Sequence, residues 1–157
     1  MKFSTREDIE APAEAVFAAL TDFAALERAA LRRGADVRRL DRMREPGAGM
    51  RWDVGFSYRG KPRNLVGEIV GFRRPQELAY EGQIGKMDLK GAATLVRLSP
   101  SRTRLVVEIE LMPRSLTARL LLQTLKLGKA NHLRRLSLRL QGFAREVEAR
   151  QPQRRVF

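Results

Sequence analysis

LTARLLLQTLKLGKANHLRRLSLRLQGF, residues 116–143, combines the leucine density of a core helix with the cation density of a surface that meets anions. At about 100° per residue, Leu122, Leu125, Leu133, Leu136, Leu140 and Phe143 fall on one face, and Val147 continues it. The spacing predicts a helix that starts after Pro113 and Ser115 and runs to about residue 149, roughly 50 Å long if straight. A face that apolar needs a partner layer. Leu116, Leu120 and Leu127 form a second stripe on the opposite side, with Arg119, Lys126, Arg134 and Arg135 around it. Apolar side chains ringed by cations suit an anionic membrane surface. The same stripe also suits a homodimer seam, or burial under neighbouring helices if the rod breaks at Gly128.

The partner layer is legible upstream. KFSTREDIE alternates Phe3, Thr5, Glu7 and Ile9 on one side and reads as a strand. APAEAVFAAL then opens a short helix, with Pro12 at its start and Glu14 in the first turn, where the helix dipole favours an anion. Asp22 is placed to cap a second short helix that ends at Gly34. From residue 35 the period becomes two. DVRRLDR is a strand, and Met50, Trp52, Val54, Phe56 and Tyr58 alternate in the clearest half-buried strand of the chain. RGKPRN reads as a turn into LVGEIVGF. RRPQ leads to ELAYEGQI, Gly85-Lys86 to MDLKGAATLVRL, and SPSR to TRLVVEIEL. Strands joined by hairpins form an antiparallel sheet. The expectation is an α+β chain: a strand, two short helices, about six consecutive strands and one long helix. Residues 1–150 make one domain, and 151–157 a basic tail.

Thirty-one Lys and Arg stand against 18 Asp and Glu, a formal net charge of +13. Such an excess points to anionic partners or serves solubility alone. The basic cluster RRGADVRRLDRMR, residues 32–44, has no interleaved aromatic and is interrupted by acids, so nucleic acid is disfavoured. With no cysteine there is neither a disulfide framework nor thiolate chemistry. The polar opening lacks the pattern of a secretory signal, and no apolar run is long enough to span a bilayer. The default expectation is a soluble, cytoplasmic protein.

IEAPAEAVFAALTDF after the first strand, FRRPQELAYEG before a later one, and the order of elements together resemble the START-like, polyketide-cyclase-like SRPBCC superfamily. The likeness covers nearly the whole chain. It implies a helix-grip fold: a curved seven-stranded antiparallel sheet wrapped around a long C-terminal helix, with an apolar cavity between them. Members bind lipids, sterols, polyketides or plant hormones, and some are enzymes. The superfamily shares no catalytic signature, so the resemblance assigns no catalytic residue. The single histidine, His132, excludes the two-histidine-one-carboxylate iron site of its oxygenase branch, and no other cluster has metal-ligand spacing. Neither metal nor cofactor is expected.

Candidate cavity residues are Phe17, Trp52, Phe56, Tyr58 and Tyr80, whose broad apolar area and polar tips suit a pocket as well as a core. Leu122, Leu125, Lys129 and His132 join them from the helix. In an unbroken helix Lys129 and His132 both face the core and would meet an acidic head; a break at Gly128 returns Lys129 to solvent. Asp53, Glu68, Glu81, Asp88, Glu108 and Glu110 alternate with apolar positions and read as the outer face of the sheet. Three functions stand open: binding or transport of a small hydrophobic, anionic lipid-like ligand without chemistry; a cyclase- or dehydratase-type enzyme using one cavity acid or base; and an interaction protein with a basic surface and a vestigial pocket. For the anionic-surface role the candidates are Arg119, Lys126, Arg134 and Arg135.

Overall fold

The computed structural model describes residues 1–152, so most of the expected tail lies outside the described residues. Strand β1 (Lys2–Ile9) leads into helices α1 (Ala13–Leu20) and α2 (Phe23–Arg32). Strands β2 (Asp36–Arg39), β3 (Arg51–Tyr58), β4 (Lys61–Arg73), β5 (Glu77–Ile84), β6 (Met87–Ser99) and β7 (Arg102–Pro113) follow, then helices α3 (Leu116–Leu127) and α4 (Lys129–Ala149). The seven strands form one antiparallel sheet in the order β1-β7-β6-β5-β4-β3-β2. Every link from β2 to β7 is a hairpin between neighbours, and only β1 leaves sequence order, closing the sheet on β7.

Local chemistry sets these boundaries. The Asp22 carboxylate accepts the Ala25 amide at 3.3 Å and caps α2, and Gly34 follows its end at φ 88°. Ser115 Oγ accepts the Ala118 amide at 3.1 Å and caps α3. Gly85 turns β5 into β6 at φ 58°. The turn expected over RGKPRN is shorter than its composition suggests. Arg59 and Gly60 alone make it, at φ 52° and 72°, and β4 already begins at Lys61. Pro62 is tolerated in that strand because β5 ends opposite Leu65; beyond that point β4 is an edge on that side.

The sheet's two faces follow the alternation. On the concave face Phe3 lies beside Ile109, Leu105 beside Leu95, and Tyr80 beside Gly91. The carboxylates Asp53, Glu68, Glu81, Asp88, Glu108 and Glu110 occupy the other face, where Asp53 meets Arg38 and Asp88 meets Arg114.

The terminal rod divides at Gly128, the break that the sequence left open, into α3 and the longer α4. Gly128, at φ −99° and ψ 13°, ends α3 and opens α4. The core is divided along the same line. Beneath the C-terminal half of α4, Leu140, Phe143, Ala144 and Val147 join Ile9, Val16, Phe17, Ile69, Leu78 and Leu105. Beneath α3, Ala118 and Leu122 pack with Phe3, Met87 and Leu111. A fully buried side chain of this kind contributes about 1.5–3 kcal/mol, so both clusters hold the helices on the sheet.

Candidate functional site: an apolar chamber with one cation

Between the α3–α4 junction and the open end of the sheet lies a chamber of about 310 Å³. Its sheet wall includes Phe3, Ile84, Leu89 and Ile109, and the helices supply Leu121, Leu125 and Leu136. Three polar tips reach it: Tyr58, Arg63 and His132. Among the described residues no carboxylate lines it.

Arg63 reaches the chamber because it is a strand residue. Its register partner is Phe56, two positions before Tyr58 on β3, so all three side chains point into the concavity. The Arg63 guanidinium carbon lies 5.9 Å from the centre of the Tyr58 ring. Its Nε is buried, and among the described residues it has no hydrogen-bond partner and no ion pair engages the guanidinium. A buried donor left unsatisfied costs about 1–3 kcal/mol, more when it is charged. On the opposite wall the His132 ring stands 6.5 Å from Tyr58. Phe56 and Arg63 also line a groove of about 730 Å³ on the outside, beside Gly34, Asp36 and Asp53. They are therefore the shared wall between chamber and surface. Beyond Gly55, where β2 ends its pairing, β3 has a free edge there.

The residues singled out in the sequence divide by position. Phe56, Tyr58, Leu125 and His132 come together on the chamber wall. Phe17, Trp52, Tyr80 and Leu122 pack in the core clusters instead. Phe17 meets Phe72 edge-on at 5.2 Å. Trp52 packs on Phe23, lies under the Arg39 guanidinium at 5.3 Å, and donates its indole N–H to Glu27 at 2.8 Å. Burial pushes the Tyr80 phenol up from its ordinary value. Lys129 is exposed, and its ammonium lies 5.8 Å from the centre of the ring of Phe3, a residue of the chamber wall. Arg119, Lys126, Arg134 and Arg135 are all exposed.

Sequence reasoning missed Arg63, the charged residue of the site, as well as the apolar wall of Phe3, Ile84, Leu89, Ile109, Leu111, Leu121 and Leu136. A proline beside Arg63 read as a turn. The signal that would have found it is the alternation itself, continued back from Leu65 through Pro62.

No family model matches the sequence, and no curated protein matches it. Solved structures do. An aromatase/cyclase from Streptomyces sp. R1128 superposes with a TM-score of 0.67 at 17% identity, covering 96% of this chain and 94% of that one. Norcoclaurine synthase from Thalictrum flavum, solved with dopamine and hydroxybenzaldehyde, gives 0.70 at 10% identity over 98% and 89%. A START superfamily protein from Mycobacterium smegmatis gives 0.56 at 17% identity over 86% and 98%. With the strand order and the terminal helices packed on the sheet, these likenesses settle the architecture. The chain has the helix-grip fold of the START-like, polyketide-cyclase-like proteins that its opening segment resembles.

Proposed function

We propose that the protein binds a small apolar molecule with an acidic head in the chamber, as a carrier that needs no chemistry of its own. One observation carries this reading: an apolar space whose wall holds a guanidinium with an unsatisfied Nε. A carboxylate or sulfonate would supply the missing acceptor and the missing charge, while the leucines and phenylalanines hold the body. The volume lies at the lower end of small-molecule sites, about 300–1,000 Å³. The fold likeness adds support, since the Thalictrum synthase was solved with two small aromatic molecules.

The experiment compares dodecanoate with dodecanol, alongside mass spectrometry of solvent extracts of the purified protein. Dodecanoate is expected to bind more tightly. Arg63→Met should weaken it about 10- to 100-fold, the worth of one charged hydrogen bond at about 1.5–3 kcal/mol, and leave dodecanol unchanged. A protein that extracts empty and binds neither probe overturns the reading.

His132 on the wall favours a second reading, a cyclase- or dehydratase-type enzyme in which the imidazole moves a proton. His132→Gln separates the two: a carrier keeps its affinity, and an enzyme loses turnover.

A further inference from the structure

We infer that the outer face of α3, continued by the start of α4, is a docking surface for an anionic lipid bilayer. This inference does not rest on the carrier reading. Leu116, Leu120 and Leu127 are 74%, 62% and 91% exposed, far more than a helix in a packed interior leaves open. Leu138 extends the stripe along α4 at 58%. Their spacing puts them on one side of the rod, away from Leu121 and Leu125 on the chamber wall. The helix α3 is thus apolar on two sides, and only one of them is covered.

Charge selects the occupant. From Ser115 to Arg145 the sequence contains no Asp or Glu. Arg119, Lys126, Arg134 and Arg135 are exposed, and no ion pair among the described residues engages them. A second copy of the chain fits poorly, because an isologous contact would set these cations against their own images. An acidic bilayer satisfies both halves of the surface. Leucines enter the headgroup boundary while lysine and arginine stems snorkel to the phosphates. Each such cation strengthens the attachment several-fold.

The test is flotation of the full chain with vesicles of pure phosphatidylcholine and of phosphatidylcholine mixed with phosphatidylglycerol, at 50 and 500 mM salt. Binding to the acidic vesicles is expected to exceed binding to the neutral ones at least tenfold, and to fall at high salt as exposed charges are screened. Leu120→Gln with Leu127→Gln should lose at least tenfold at low salt while the circular dichroism and melting curve stay unchanged, since both side chains are already in water. Arg119→Gln with Lys126→Gln should lose the preference for acidic lipid and keep the fold. Equal binding to both vesicle types, or unchanged binding by both variants, overturns the proposal. So does a dimer that dissociates when Leu120 and Leu127 are replaced.

Discussion

At the scale of single residues, Gly91 and Tyr80 show how closely the concave face is filled. They are register partners on β6 and β5, and the hydroxyl end of the Tyr80 ring lies against the glycine. A Cβ built at position 91 stands 2.2 Å from the ring, well inside van der Waals contact. Gly91→Ala is therefore expected to destabilise the protein by about 1–3 kcal/mol, the usual cost of overpacking, read as a lower urea midpoint. In a Tyr80→Ala background the same change should cost almost nothing, because the two residues share one space. An additive pair would show that the cost of the added methyl group does not come from the ring. The same proximity explains the limit of sequence reading at this scale. Alternation puts Trp52, Phe56, Tyr58 and Tyr80 on one face, and it does so correctly. It does not say which of them α1, α2 and α4 cover. Trp52 and Tyr80 are covered in the core; Phe56 and Tyr58 face the chamber, across which His132 and Leu136 of α4 stand.

At the scale of elements, β2 and β3 are tied together by Asp41 in the connection between them. Its carboxylate accepts Arg39 Nε at 2.9 Å and the amides of Arg51 and Met43 at 2.8 and 2.9 Å. The hydrogen-bonded Arg39 guanidinium holds this carboxyl well below the usual carboxylate range against the opposing cost of burial, and the two amides assist. A depressed folded-state pKa contributes stability that is complete above the unfolded value, about 3.9, and is lost as pH falls towards the folded one. Asp41→Asn is accordingly expected to lower the melting temperature by a constant amount above about pH 5, with the gap closing progressively below pH 4. A gap independent of pH down to 2 would contradict this account. Element boundaries were legible wherever a cap or turn residue carried the signal, as at Asp22, Ser115 and Gly85. They were less legible where a residue's meaning depends on a distant strand. Pro62 is a breaker in a central strand and harmless past the end of β5, and the sequence around Arg63 does not say where β5 stops. Gly128 posed the same difficulty: whether the terminal rod breaks there is decided by what α3 and α4 each rest upon.

At the scale of the whole molecule, the two core clusters do unequal work. The cluster under α4 is closed by α1 and α2 as well as by the sheet, whereas the cluster under α3 borders the chamber. The lining of that space lacks the contacts a packed core would supply, so a molecule that fills it restores them and favours the folded state. Dodecanoate at a hundred times its dissociation constant should add about 2.7 kcal/mol. At about 2–4 °C per kcal/mol for a chain of this size, the melting temperature should rise roughly 5–11 °C. Leu125→Trp tests whether the chamber is the place. The indole projects from α3 into the space the ligand needs, so the substituted protein should melt no lower than the original and lose the ligand-induced shift. A shift of equal size in both proteins would place the binding elsewhere, with the outer groove beside Asp36 and Asp53 the next space to probe. A lower melting temperature with the shift retained would mean that α3 lifts to admit both indole and ligand. In that case the weak link is the α3 end of the rod, where the smaller cluster alone holds the helix on the sheet.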